Sequence, residues 1–266
     1  MMIKQLVIVS LLVFGVLMIF LYVWQRHLIY FPLREVPKQI DFHASDMEVI
    51  HLKTQDGLQL SSWYKPAAKG QPTVLYLHGN AGHIGYRMPF VRQLLEAGLG
   101  IFLLEYRGYG GNAGSPTEQG LYLDGQAAMA FLQAQGIQPR HMVLYGESLG
   151  TGIATKLASD HQICSLILQS PFTSLTALAR YHYPWLFIKP RDRFDSLKRI
   201  QSIRVPLLIL HGKRDPIVPY QQGVVLYNTA NQPKKMYSFP LRGHNDLWNE
   251  SVFTEEVIQF IKAHCK

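Results

Sequence analysis

The chain of 266 residues is 48% hydrophobic and 17% charged, and it carries a formal net charge of +8 at pH 7. This composition excludes an intrinsically disordered protein, and the length suits one large domain better than two small ones. The lysines and arginines are scattered and accompany no nucleic-acid-binding motif, so we expect no nucleic acid as a partner.

The two cysteines, Cys164 and Cys265, offer neither a disulfide framework nor a zinc ligand set. Cys164 opens an apolar run, so we expect it to be an ordinary core residue. Two cysteines do not indicate whether the protein resides in an oxidising or a reducing compartment.

An uncharged apolar stretch, residues 6–24 (LVIVSLLVFGVLMIFLYVW), lies near the start of the chain. As a helix it would be about 28 Å long, close to the hydrocarbon core of about 30 Å in a bilayer. It ends in Tyr22, Trp24 and Arg26, which are typical of a membrane interface rather than of a signal-peptide cleavage site. We predict an uncleaved, single-pass membrane anchor over residues 1–27. A cleaved signal peptide and a buried core helix are the alternatives.

Positive charges on both sides of this stretch bear on its orientation. Lys4 precedes it, whereas Arg26, Arg34 and Lys38 follow it. By the positive-inside rule this distribution favours a cytoplasmic domain. These basic residues also suit a surface next to anionic lipids.

Residues 28–46 are predicted as a linker, and residues 47–266 as one folded domain. Segments 47–54 and 58–65 alternate in polarity around an Asp-Gly pair, which predicts a β-hairpin. Six nearly continuous apolar runs then predict strands buried on both faces, at residues 73–78, 100–106, 141–146, 164–170, 206–212 and 235–240.

Helix-like segments lie between these runs, at residues 84–97, 118–135, 149–159, 220–229 and 251–264. Alternation of strand and helix predicts an α/β fold, a mostly parallel sheet with helices on both faces. The interval 171–205 interrupts this alternation and is rich in aromatic residues and proline. We predict that it forms a small cap over the carboxyl edge of the sheet.

Ser148 lies in the pattern Gly-Glu-Ser-Leu-Gly, where an apolar run gives way to a helical segment. A sharp turn from strand to helix imposes strained dihedral angles on its central residue and leaves no room for a Cβ at Gly146 or Gly150. Such a turn exposes a serine hydroxyl at a helix N-terminus, where negative charge is favoured. Ser148 is therefore a candidate nucleophile, which needs a base and an acid.

Asp215 follows the next-to-last apolar run, and His244 lies in the loop after the last one. The chain order serine, aspartate, histidine is the order that α/β-hydrolases use for a catalytic triad. We predict Ser148, Asp215 and His244 as the catalytic residues. Asp246 is a weaker candidate for the acid because it lies further from a strand end.

The segment LHGNAGH follows the first predicted parallel strand and exposes backbone through its glycines. In α/β-hydrolases, which have this chain order, the loop after that strand gives one amide of an oxyanion hole, and the residue after the nucleophile gives the other. We predict that the amides of Asn80 and Leu149 form the oxyanion hole, with His78 supporting the loop. A merely tight turn would explain the same glycines.

Several further residues leave alternatives open. The aromatic residues of the cap and His182 either line an acyl pocket or form the apolar underside of the cap; the aromatic residues are Tyr181, Tyr183, Trp185 and Phe187. Glu147, next to the nucleophile, is expected to be an ordinary turn residue. No substrate-binding residue can be assigned from the sequence.

Over residues 47–261 the chain resembles the Bem46-type branch of the α/β-hydrolase superfamily, which includes membrane-anchored bacterial hydrolases and the animal ABHD13 and ABHD17 groups. The matching stretches are LHGNAGHIGYR, EYRGYGGNAGSPTEQGL, LYGESLGTGIA, QSPFTSL, LHGKRDPIVP and GHND. Two positions depart from the pattern: Glu105 replaces a usual aspartate and Thr151 a common glycine. Anchored bacterial members are often drawn with the domain on the opposite side from the one that the charges favour, so the side stays open.

The resemblance implies a serine hydrolase that cleaves carboxylic esters or thioesters, with Ser148, Asp215 and His244 at the family's catalytic positions. Such chemistry requires no metal or organic cofactor. The expected partners are an acyl substrate, for example a membrane lipid or an S-acylated protein, and the lipid bilayer through residues 6–24. Two alternatives remain: a peptidase of the same fold, and a membrane-anchored binding protein without turnover.

Overall fold

The structure is a computed structural model that describes residues 2–185 and 189–265. Phe187, one of the predicted cap aromatics, lies outside the described residues. The described α-helices are α1 (Met2–Trp24), α2 (Met88–Glu96), α3 (Glu118–Ala134), α4 (Leu149–Asp160), α5 (Leu175–His182), α6 (Ser196–Ile200), α7 (Tyr220–Thr229) and α8 (Ser251–His264). The described strands are β1 (Phe31–Pro32), β2 (Glu48–Lys53), β3 (Gln59–Lys65), β4 (Thr73–Leu77), β5 (Ala81–Gly82), β6 (Gly100–Leu104), β7 (Met142–Glu147), β8 (Ser165–Gln169), β9 (Leu207–Gly212) and β10 (Lys234–Phe239).

The main sheet has the strand order β10-β9-β8-β7-β4-β6-β3-β2. Strands β4 and β6 to β10 run parallel, and the hairpin β2–β3 joins them antiparallel through β6. Each predicted strand and the predicted hairpin are found, with ends that differ by at most two residues. The predicted helix over 84–97 differs at its start, where a 3-10 turn (Ile84–Arg87) precedes α2.

The central strands are buried on both faces because their side chains alternate between two apolar layers. In β4, Leu75 and Leu77 belong to the layer that contains α3, α4, α6 and α7, whereas Val74 and Tyr76 belong to the layer that contains α2 and α8. This arrangement places the helices on both sides of the sheet, as the alternation of strand and helix predicts.

A disulfide joins Cys164, just before β8, to Cys265, just after α8, with their Cα atoms 5.6 Å apart. The expectation that Cys164 is an ordinary core residue is therefore wrong. The pair is brought together because α8 packs across the sheet next to β8, and a contact between residues 101 positions apart leaves no local pattern in the sequence.

Helix α1 projects from the domain, and none of its residues is buried. Among residues 2–185 and 189–265, one helical stretch, Met2–Leu28, is long and apolar enough to cross a membrane. It is therefore a candidate membrane anchor, and a signal sequence would have the same length and composition.

Candidate active site

Ser148 stands between β7 and α4 with φ 49° and ψ −112°, in the left-handed region that a serine seldom adopts. A Cβ on Gly146 would lie 2.7 Å from the carbonyl oxygen of Gly150, and a Cβ on Gly150 would collide with the backbone of Leu77. The Ser148 amide donates to the carbonyl of Gln169 at 2.9 Å. The two glycines thus make the turn sterically feasible, and neighbouring backbone holds the serine in its strained conformation.

The structure brings together the three side chains predicted as the triad. His244 Nε2 lies 2.8 Å from Ser148 Oγ, and His244 Nδ1 lies 2.6 Å from Asp215 Oδ2. Asp215 follows β9 and His244 follows β10, so both come from loops at the carboxyl edge of the sheet. Because Asp215 accepts from Nδ1, the neutral His244 ring carries its proton there and leaves Nε2 free to accept from the serine hydroxyl.

The carboxylate of Asp215 is held at both of its oxygens. Oδ1 accepts from the amides of Ile217 and Val218, at 2.9 and 2.8 Å. Burial raises the pKa of Asp215, but hydrogen bonds from His211 and His244 outweigh burial and hold the pKa below its usual value. Asp215 is consequently an ionised, fixed acceptor for the His244 ring.

His211, which the sequence analysis did not single out, lies fully buried in β9 behind the aspartate. Its Nε2 donates to the carbonyl of Val218 at 2.9 Å and lies 3.3 Å from Asp215 Oδ2. A Cβ on Gly223 of α7 would collide with the ring, so the helix approaches closely and fixes it. The sequence feature that could have identified His211 is its place as a histidine at the end of an otherwise apolar run.

Asp246 does not contact His244 in the way that the weaker alternative for the acid would require. Its Oδ1 accepts from the amide of Gly243 at 2.7 Å, and its Oδ2 lies 3.7 Å from Arg242 Nη1. Asp246 therefore shapes the loop that carries His244 rather than orienting the imidazole.

Asn80, Ser148 and Leu149 line one cavity. The Asn80 side chain donates to the carbonyl of Ile29 at 2.8 Å, and the Asn80 carbonyl accepts from the Phe31 amide at 2.9 Å and the Tyr109 hydroxyl at 2.8 Å. Leu149 is the first residue of α4, so its amide has no acceptor within the helix. The two predicted oxyanion residues thus flank the serine, and residues 29–31 hold one of them in place.

His78 lies fully buried behind this loop. Its Nδ1 donates to the Gly79 carbonyl at 2.8 Å, and its Nε2 lies 3.1 Å from Glu105 Oε1. Glu105 Oε2 accepts from the Ile84 amide at 2.9 Å. Through these contacts His78 supports the loop after β4. Glu105, which departs from the family pattern, takes part in them.

Glu147 is a buried ion-pair partner, and the expectation of an ordinary turn residue is wrong. It ends β7, and its carboxylate accepts from Arg87 at 2.9 and 3.1 Å and from the Tyr76 hydroxyl at 2.8 Å. Burial raises the pKa of Glu147, but the charge and hydrogen bonds of Arg87 prevail and lower it. Since Arg87 Nη1 also donates to the carbonyls of Ala81 and His83, this pair ties the turn at Ser148 to the loop after β4.

The cavity in front of Ser148 has a volume of about 380 Å³ and a mostly apolar wall. Three parts of the chain contribute apolar side chains to it: Leu28, Ile29 and Phe31 after α1, Leu175, Leu178 and Ala179 in α5, and Pro216, Ile217 and Val218 after β9. His182 and Tyr183 of the cap also line it, and His182 Nε2 lies 2.7 Å from the Ile217 carbonyl. The cap aromatics Tyr181 and Trp185 lie on the surface instead.

Comparison with known proteins agrees with this architecture. A family model described as serine aminopeptidase, S33 (Hydrolase_4), matches residues 68–189. Protein bem46 of Schizosaccharomyces pombe is 34% identical over 248 residues, which cover 85% of this chain and 82% of that protein. Lysophosphatidylserine lipase ABHD12 of Danio rerio is 35% identical over 201 residues, which cover 66% of this chain and 52% of that protein.

The solved structure of the esterase Pf2001 of Pyrococcus furiosus has the same fold, with a TM-score of 0.74 and 21% sequence identity over 90% of this chain and 98% of that structure. Together with the strand order and the strained serine turn, these similarities identify the family. The chain belongs to the α/β-hydrolase superfamily and, within it, to the Bem46-type hydrolases.

Proposed function

We propose that this protein is a serine hydrolase that cleaves carboxylic ester or thioester bonds through an acyl-enzyme intermediate, with Ser148, His244 and Asp215 as its triad. The observation that carries the proposal is the continuous chain of hydrogen bonds from Ser148 Oγ through His244 to Asp215, at 2.8 and 2.6 Å. Ser148, at one end of this chain, lines a mostly apolar cavity. This arrangement is the one that activates a serine hydroxyl toward an acyl carbon.

In the acylation step Ser148 Oγ forms a bond to the carbonyl carbon while His244 Nε2 takes the hydroxyl proton. The bond to the alcohol or thiol then breaks, and His244 returns that proton to the leaving group. Asp215 stabilises the imidazolium that forms in between and stays ionised itself. The products of this step are the free alcohol or thiol and an ester of Ser148.

In the deacylation step a water molecule gives a proton to His244 Nε2 and adds to the acyl carbon. The bond to Ser148 Oγ breaks, the serine regains its proton from His244, and the carboxylic acid leaves. In both steps the carbonyl oxygen becomes an oxyanion, which we assign to the amides of Asn80 and Leu149. The N-terminus of α4 adds favourable electrostatic potential at that position.

The lining of the cavity suits an acyl ester or thioester better than it suits the substrate of an aminopeptidase. An aminopeptidase must bind the ammonium group of a peptide N-terminus, for which a carboxylate is the natural partner. Among the described residues that line the cavity none is acidic, and most are aliphatic or aromatic. The esterase and lipase names of the structural neighbour and the zebrafish relative point to the same substrate class.

We also propose that α1 is retained as a single-pass membrane anchor, with residues 6–24 in the bilayer. Gln25 and Arg26, which follow α1 directly, contact Arg191 and Asp192 of the cap. Within α1 itself, the ring of Tyr22 lies 6.0 Å from the guanidinium of Arg191 in the cap. A contact between the last turn of α1 and the domain favours an anchor that stays on the mature protein.

The test is reaction of the full chain, purified in detergent, with a fluorophosphonate, followed by intact-mass analysis beside Ser148→Ala and His244→Ala. We expect one adduct on the unaltered protein and none on either variant. An unmodified folded protein, or equal labelling of Ser148→Ala, would favour the alternative of a binding protein without turnover. An ester, a thioester and an amide with the same acyl group then separate esterase from peptidase activity.

A further inference from the structure

We propose that the mouth of the cavity lies in the headgroup layer of the bilayer, so that the substrate enters it directly from the lipid. This inference rests on the proposed hydrolase function. The strap is residues 25–33, which follow α1. The rim consists of six apolar side chains at the cavity mouth, namely Leu28, Phe31, Tyr181, Tyr183, Trp185 and Ile217.

The first half of the strap is bound to the cap. The guanidinium of Arg26 donates to both carboxylate oxygens of Asp192, at 2.9 and 3.1 Å, and the Tyr30 hydroxyl donates to the same carboxylate at 3.0 Å. Gln25 Oε1 accepts from the amide of Arg191 at 2.6 Å. Asp192 and Tyr30 are both buried, so this is a built contact rather than a loose surface pair.

The second half of the strap is bound to the oxyanion loop. Strand β1 pairs with β5 in parallel, and the amides of Phe31 and Leu33 donate to the carbonyls of Asn80 and Gly82, at 2.9 and 3.2 Å. The strap is thus fixed at both ends, and no flexible tether separates α1 from the cavity. The depth of the cavity mouth in the bilayer follows from the position of α1.

That position follows from the length of α1. The 23 residues of α1 extend over about 34 Å, slightly more than a hydrocarbon core of about 30 Å. Trp24 therefore lies where the hydrocarbon core ends. Leu28 is the last residue of a short 3-10 helix (Gln25–Leu28) of about 8 Å, close to the thickness of one headgroup layer. Because Leu28 lines the cavity, the cavity begins at headgroup depth.

The rim has the chemistry of a surface that contacts lipid headgroups. Each of its six side chains is between 45% and 63% exposed, although all are large and apolar. Leu28, Phe31, Tyr183 and Ile217 line the same cavity. The other two adjoin its lining, because the ring of Trp185 lies 6.2 Å from that of Tyr183 and the ring of Tyr181 lies 5.1 Å from that of His182. Tyrosine and tryptophan are enriched at membrane interfaces, where one end of the ring is apolar and the other wet. An apolar surface of this kind next to a candidate anchor fits a bilayer better than a protein partner.

A cation reinforces this placement. The guanidinium of Arg191 lies 6.0 Å from the ring centroid of Tyr22, in the last turn of α1. It is therefore held level with the end of the anchor, where lipid phosphates lie.

The test uses the full chain in phosphatidylcholine vesicles and two esters of one chromophoric alcohol: a water-soluble butyrate and a palmitate that partitions into the bilayer. The variant is Tyr181→Glu with Trp185→Glu, which changes the rim outside the cavity wall. The matched control is Val49→Glu with Val225→Glu, two exposed valines on β2 and α7. We expect the rim variant to lose about tenfold in kcat/KM on the palmitate, equal to about 1.4 kcal/mol. Its rate on the butyrate, and both rates of the control, stay the same.

Equal rates of the rim variant and the unaltered protein on both esters would overturn the inference. If the unaltered protein hydrolyses neither ester and does not react with the fluorophosphonate, the proposed function fails. A second measurement tests the rim whether or not the protein is active. In a Trp24→Phe background, lipids brominated near the headgroup should quench a component of the fluorescence that Trp185→Phe removes. Absence of that component would exclude contact between the rim and the bilayer whatever the activity.

Discussion

The two sides of the cavity are built in different ways. The sheet side carries the proposed triad, Ser148, Asp215 and His244, each on a loop at the carboxyl edge of the same sheet, after β7, β9 and β10. The opposite wall comes from the strap and from α5, which lie outside the sheet and more than 140 residues apart in the chain. One side is fixed by strand pairing, whereas the other depends on contacts between distant segments.

This difference separates two kinds of effect. A change on the sheet side alters the chemistry and should slow every substrate alike. A change in the strap or cap alters the cavity wall proposed to contact the acyl chain and the loop to which we assign one oxyanion amide. Asn80 belongs to both sides, since its loop follows β4 and its side chain is bound to the strap.

The largest effect is expected from Asp215→Asn. The amide removes the charge that stabilises the imidazolium and can hold the His244 ring in the wrong tautomer, so kcat should fall about 10⁴-fold on short and long esters alike. Steady-state kinetics on both esters measure this loss, and Asp246→Asn is the control that should keep full activity. A loss confined to long esters would contradict the assignment of Asp215 to the sheet side.

A large effect on stability is expected from Glu147→Gln. The amide leaves the buried charge of Arg87 uncompensated, and the free energy of unfolding should fall by about 3 kcal/mol at pH 7. The pKa of Glu147 is lowered in the folded protein, so the contribution of the ion pair is complete above the ordinary value of 4.5 and declines progressively as the pH falls from there through the lowered pKa. Urea unfolding at pH 7 and pH 3.5 should show that the difference between the two proteins shrinks in acid. An equal difference at both pH values would exclude an ionised Glu147.

The sequence predicts the sheet side well because its signals are local. Ser148 lies between two glycines at a strand end, and Asp215 and His244 follow apolar runs, so each residue can be placed from its immediate neighbours. Burial on both faces likewise gives the central strands their continuous apolar runs. These patterns predict the main sheet and bring the three candidate residues to one edge of it.

The contacts that were missed join residues far apart in the chain. Arg87 and Glu147 are 60 positions apart, and the two cysteines are 101 positions apart. Neither pair has a spacing that predicts contact. The binding of the strap to Asp192 is of the same kind, since two polar groups carry no sign of their partner until the fold brings them together.

Asn80→Ala is expected to have a smaller effect, and it changes the residue that links the two sides of the cavity. The backbone amide that we assign to the oxyanion remains, but the bond to the Ile29 carbonyl is lost, so the loop is less firmly placed. We expect kcat to fall about tenfold, or about 1.4 kcal/mol, with little change in KM. Asn231→Ala is the matched control, because the Asn231 amide donates to the carbonyls of Gln201 and Ile203 on a remote loop.

An unchanged kcat in Asn80→Ala would mean that the strap does not position the oxyanion loop. A rise in KM without a change in kcat would instead assign the Asn80 side chain to substrate binding. If Asn231→Ala shows the same loss of kcat, the effect is a general loss of stability rather than a property of the site.

The smallest effect is expected from Tyr30→Phe, which removes the bond from the strap to Asp192 and keeps the ring. The loss should be about 1 kcal/mol, or about 2–4 °C in Tm for a domain of this size. Tyr181→Phe, which changes an exposed hydroxyl, should leave Tm unchanged.

The dependence of this effect on pH tests its cause. Burial, with Asp192 close by, raises the pKa of Tyr30 above its ordinary value of 10.0, so the folded protein keeps the hydroxyl proton after the unfolded chain has lost it. Stability from this group is complete below pH 10 and declines as the pH rises above it. The advantage of the unaltered protein over Tyr30→Phe should therefore shrink in chemical unfolding at pH 11. An advantage that is constant from pH 8 to pH 11 would show that the strap is not held by a buried, protonated hydroxyl.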